Sequence, residues 1–181
     1  MWPAVRLGLL ISLVPLLLTA VLPGMMFGWE LQPLGMFLFS FLLTFFLAVH
    51  EDVIFVGYLQ TRLYGLFKSN VVAISVGAAL FALMHVPSWI LMGTLTFDYP
   101  LGIALMLVVW FTFHFIAVSV FRKYFSLIPV IMLHTVLNFS GRMWNVRTEE
   151  GGIFGTLNTV ILLTVACVLV HHMREHRQKT I

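Results

Sequence analysis

The chain has 181 residues, 61% of them hydrophobic and only 9% charged, with a mean hydropathy of +1.03. A soluble domain carries about 25% charged residues, so this composition excludes one. The net charge of +3 is spread over loops and a tail, which excludes a nucleic-acid partner, and the single cysteine, Cys167, excludes a disulfide framework. What remains is an all-α, polytopic membrane helical bundle, expected to be a single integral-membrane domain over residues 1–181.

In chain order the first apolar segment is 7–22, preceded by Arg6. "LLTAVLPGMM" offers no good small-x-small cleavage site, so this reads as an uncleaved span rather than a signal peptide. The second segment, 34–50, continues without proline to residue 66. The others are 70–87, 101–121, 127–140 and 153–171, about six in all. The turn-rich pieces "LPGMMFGW", "FKSN", "HVPSW", "TFDYP", "FRKYFS" and "EEGG" separate or interrupt them.

Basic residues set the expected orientation. Arg6, Arg62, Lys68, Arg122, Lys123, Arg174, Arg177 and Lys179 fall on one side, whereas only Arg142 and Arg147 fall on the other. By the positive-inside rule both termini are cytoplasmic. The second segment is too long for one simple crossing. As a single helix its 33 residues would run about 50 Å against a hydrocarbon core of about 30 Å. It is expected to tilt, or to bend near His50.

That segment carries "HED", His50, Glu51 and Asp52, inside an otherwise apolar run. A zinc motif of the form HExxH fails, because Ile54 stands where the second histidine belongs. An intramembrane ionisable residue is a functional-site hypothesis by default, since burying it costs several kcal/mol. Counted along straight helices, Glu51 and His85 each lie about 23 Å from the cytoplasmic face, and His134 and Asn138 about 10 and 16 Å from it. With a short or tilted fifth span, these groups from separate segments reach comparable depth. Taken singly, each is more simply a polar contact between helices. His114 in "FTFHF" reads as such a packing residue, and His171, His172 and His176 read as part of a solvated basic tail. Taken together, Glu51, His85, His134 and Asn138 favour one buried site.

The motifs "EDVIFVG" at 51–57, "FALMH" at 81–85 and "HTVLN" at 134–138 resemble the EExxxR, FxxxH and HxxxN motifs of the CPBP (Abi) family of CAAX prenyl endopeptidases and bacteriocin-processing enzymes. "LIPVIMLH" supplies the L-x-P lead-in of the third motif, and the similarity covers a core of about residues 40–140. Two positions depart. Asp52 stands in place of the second glutamate and Val56 in place of the arginine one turn on, so the i,i+4 ion pair of the pattern is absent. Asp52 is therefore expected to be protonated, to find another donor such as His50, or to face water. It is also expected to be the more dispensable acid, with Val56→Arg tolerated through a restored pair.

The resemblance implies an intramembrane endopeptidase of the bacterial or archaeal cell membrane, acting on a membrane-anchored peptide or protein substrate. Glu51 would activate water with His85, while His134 and Asn138 would form the oxyanion hole and Asp52 would support them. No cofactor is needed. A metalloprotease reading, with zinc on Glu51, His85 and His134, ranks second because it leaves Asn138 idle. The rival of a different class is a catalytically degenerate relative that acts as a membrane binding, immunity or chaperone-type protein. A small transporter is a third reading, disfavoured by the lack of evident inverted repeats.

Overall fold

The computed structural model describes residues 2–22, 25, 32–91 and 100–140. Among these the regular structure is entirely helical. In chain order the elements are α1 (Trp2–Leu16) with a π-helical turn at Leu17–Val21, α2 (Leu34–Asp52), a π-helical segment Val53–Leu59, α3 (Gln60–Leu66), α4 (Asn70–Met84), α5 (Val86–Leu91), α6 (Pro100–Tyr124) and α7 (Ile128–Ser140).

Among the described residues three stretches are long and apolar enough to cross a membrane: Leu34–Leu66, Asn70–Leu91 and Ile103–Tyr124. Trp2–Leu16 and Ile128–Phe139 are shorter apolar helices. The first five segments read from the sequence therefore coincide with helices. The sixth, 153–171, lies outside the described residues, as do Arg142, Arg147 and the basic tail. Leu34, Met36, Leu38, Phe39, Leu42 and Phe46 of α2 are all exposed. In water such a face would be untenable. In a bilayer it is the surface that meets lipid, because helices satisfy their own backbone and present only side chains to hydrocarbon.

The long second segment runs helically from Leu34 to Leu66, as the absence of proline allows. Its irregularity begins not at His50 but at Val53, directly after the two acids, where the hydrogen bonding widens to a π-helix through Leu59. Such π segments insert an extra residue into the turn and re-aim the side chains that follow.

The described helices fall into two compact units. The first takes the chain up to Gly57 and resumes at Val120. In it α1 and α2 both pack on α7. Gly8 is the point of close approach: a methyl group there would lie 2.9 Å from the Pro129 Cα and 2.7 Å from the Met132 Sδ. A small residue at this position lets the two helix backbones meet, which is how apolar helices gain packing where no hydrophobic driving force separates them from lipid. On α2 the residues Thr44, Ala48 and Asp52 are fully buried, and Val56 in the π-helical segment continues the stripe. Their four-residue spacing marks one face. Thr44 places its hydroxyl on the Ser40 carbonyl at 2.9 Å, so this polar member of the stripe is satisfied within its own helix. Phe37 and Phe41 extend the packing, both meeting Phe139 edge-on at 4.8 and 5.4 Å.

The second unit runs from Tyr58 to Ser119 in its described part. Here α3 packs on α4. Ser69 caps α4, its hydroxyl accepting from the Val72 N–H at 3.5 Å. Gly77 of α4 leaves room for the side chains of Gln60 and His114, which a methyl group would meet.

Candidate active site

The site in the first unit is built on the buried stripe of α2. Because Asp52 continues the Thr44–Ala48 face, its carboxylate is the one carried fully inside, at 0% exposure, while Glu51, turned about 100° around the helix, keeps 15%. From α7 comes His134, also at 0%. Pro129 sits in the first turn of that helix, where a missing N–H costs no intrahelical bond. Val130, Leu133 and Thr135 bury the surrounding face.

The His134 imidazole lies between the two acids. Its Nδ1 is 3.1 Å from the Asp52 Oδ1, and its Nε2 is 3.6 Å from the Glu51 Oε2. The two groups share one hydrogen bond, donated by the Nδ1–H when the carboxyl is ionised. That bond orients the ring and turns the other nitrogen toward Glu51. Of the alternatives expected for Asp52, the structure matches that of another partner: it does not face water, and the partner is His134 of another helix rather than His50, which is exposed at the end of α2. The sequence signal was present in the small residues Thr44 and Ala48, four and eight positions before Asp52, which mark a packed helix face.

The same packing explains why the missing arginine leaves no gap. Val56 is completely buried, part of the apolar interior rather than an empty place for a guanidinium. An arginine there would have to carry its charge into this interior beside a carboxylate already engaged. In the second unit Arg62 is exposed and its guanidinium lies 5.2 Å from the Tyr58 ring centroid.

Asn138 stands one turn beyond His134 on α7 and is half-buried. Its i,i+4 spacing places it on the same face as the imidazole. His85 belongs to the second unit, at the single turn residue between α4 and α5. Its Nδ1 donates to the Phe81 carbonyl at 2.8 Å, and its ring stacks on Trp110 with centroids 4.3 Å apart. His114, expected to be a packing residue, is fully buried with its Nε2 3.3 Å from the Gln60 Oε1. Neither Gln60 nor Trp110 stood out in the sequence. Trp110 carried one signal, its place four residues before His114 on the same helix face.

Among the described residues no three His, Cys, Asp or Glu side chains group as a metal site. In the Glu51–His134–Asp52 cluster the reason is geometric. The carboxylates address opposite nitrogens of one ring, so the donors converge on the imidazole rather than on a common point.

No curated protein and no solved structure matches the chain. A family model does match, that of the Rce1-like type II CAAX prenyl endopeptidases, over residues 33–140. That span is more than half of the chain and holds all three motifs together with the Glu51–His134–Asp52 cluster, and the chain belongs to this family of membrane-embedded CAAX proteases.

Proposed function

We propose that the protein is an intramembrane endopeptidase of the glutamic type, in which Glu51 activates the attacking water. The observation that carries this reading is the unequal placement of two acids around one buried imidazole. Asp52 is sealed from solvent and holds His134; Glu51 faces the other nitrogen and retains access. A base must reach its water, whereas an orienting group need not, so Glu51 is the base and Asp52 the support.

The chemistry follows from these positions. The Glu51 carboxylate takes a proton from water as its oxygen bonds to the scissile carbonyl carbon. The carbonyl oxygen becomes an oxyanion, met by the Asn138 amide and by a ring N–H of His134, the ring that Asp52 orients. Glu51 then returns its proton to the leaving nitrogen as the C–N bond breaks. His85, in the second unit, is assigned to this chemistry from its motif alone; with its hydrogen on Nδ1, the neutral ring keeps a lone pair on Nε2. No step runs through a metal. The family points to a membrane-associated protein substrate, and a prenylated C-terminal peptide is the substrate class proposed here. The exposed apolar flank of α2 is compatible with a lipid-bearing substrate that shares the bilayer with the enzyme.

The test uses the full chain in lipid vesicles with a farnesylated peptide ending in a CAAX sequence and mass-spectrometric detection of the product. Glu51→Gln keeps shape and hydrogen bonding but removes the base, and cleavage should fall by at least about 10²-fold. Undiminished cleavage in Glu51→Gln would end the assignment. One feature, Val56 in place of the family arginine, favours the second reading of a non-cleaving relative that binds a membrane partner. That reading predicts that the wild-type protein captures the farnesylated peptide uncleaved and that Glu51→Gln captures it equally well.

A further inference from the structure

A histidine that handles a reacting water must hold one tautomer and one ring plane. His85 obtains the first from its own segment. The Nδ1 lies 2.8 Å from the Phe81 carbonyl one turn back, and a carbonyl oxygen only accepts, so the hydrogen is on Nδ1 and the lone pair of the neutral ring is on Nε2. That single bond restrains only one combination of the two side-chain torsions, so the ring plane can still rock. His85 is also the residue at which α4 ends and α5 begins.

Trp110 of α6 supplies the missing constraint. Its indole lies parallel to the imidazole within 12°, with centroids 4.3 Å apart, closer to His85 than the rings of Phe81 and Trp89. Phe81 meets the same ring edge-on at 5.1 Å, and Trp89 lies at 5.7 Å. Phe81 is itself backed by His114, stacked at 5.1 Å, which Gln60 holds through its amide oxygen. The plate against which His85 rests is thus anchored to the core of its unit.

We propose that Trp110 is a positioning residue: its indole face fixes the plane of His85 and so aims the Nε2 lone pair. Trp110 lies outside all three motifs. The inference rests on the reading of His85 as part of the catalytic site. A residue that only packs would change stability. One that aims a catalytic ring changes the chemical step, since a displacement of about 1 Å costs about 10²-fold in rate.

The experiment compares Trp110→Phe, Trp110→Leu and His85→Ala with wild type on the farnesylated peptide in vesicles, and records the histidine ring signals of the labelled full-length protein by NMR. Trp110→Phe keeps an aromatic face and should keep most of kcat. Trp110→Leu should lower kcat by about 10- to 100-fold at unchanged KM, with no further loss when added to His85→Ala. In wild type the His85 ring protons should be displaced upfield by the indole, and the displacement should vanish in Trp110→Leu. Wild-type kcat in Trp110→Leu, with His85→Ala inactive, would overturn the proposal and leave the catalytic reading intact. Full activity in His85→Ala would overturn the catalytic reading itself. If a variant does not fold or the peptide is not cleaved, the wild-type spectrum decides: His85 ring protons without an upfield displacement would overturn the stack.

Discussion

Replacing Asp52 by asparagine isolates what the carboxylate contributes to His134. The side chain keeps its size and an oxygen that can stay on the imidazole Nδ1, 3.1 Å away between two fully buried groups. What changes is charge. A hydrogen bond to an ionised partner contributes about 1.5–3 kcal/mol and a neutral one about 0.5–1.5, so the substitution should remove about 1–2 kcal/mol. At about 1.4 kcal/mol per decade that corresponds to a loss of about 5- to 30-fold in kcat, smaller than the loss expected for Glu51→Gln. Asp52→Ala should cost more, because it leaves the ring N–H without an acceptor in a site closed to water. The assay is cleavage of the farnesylated peptide, paired with melting temperatures for Asp52→Asn, His134→Asn and the double variant. Residues in direct contact should show a coupling of about 0.5–3 kcal/mol in that cycle. Additive effects on both readouts, or a loss in Asp52→Asn equal to that in Glu51→Gln, would refute the division of roles between the two acids.

Val56→Arg should lower the melting temperature and the activity together, because the new guanidinium enters a fully buried position and competes with His134 for Asp52; unchanged stability would show that the stripe is less closed than described. Gly8→Ala should destabilise by about 1–3 kcal/mol in a thermal melt, since the added methyl meets the Pro129 backbone at 2.9 Å and only the Met132 side chain can move away. Prolonged chelation should leave cleavage unchanged and elemental analysis should find less than one metal per chain; a stoichiometric zinc lost in His85→Ala would reinstate the metalloprotease mechanism.

The helical, membrane-embedded class and the first five segments were legible in the sequence because they rest on local composition: long apolar runs, few charges and turn residues between them. The family was legible for a similar reason, since its motifs are short spacings along single helices. His114 could be read as a packing residue because no acid shares its helix segment. The partner of Asp52 was not legible in this way. Its contact with His134 spans 82 positions, and it depends on which face of α2 turns toward α7. The stripe of Thr44 and Ala48 hinted at that rotation, but only packing decided that the shorter acid would be the buried one. Nor does any residue pattern announce the π-helical turn at Val53–Leu59. The stacking of Trp110 on His85 belongs to the same class. Local chemistry determines what a segment is, whereas the rotation of one helix against the next determines which of its side chains meet, and that is a property of the whole packed unit.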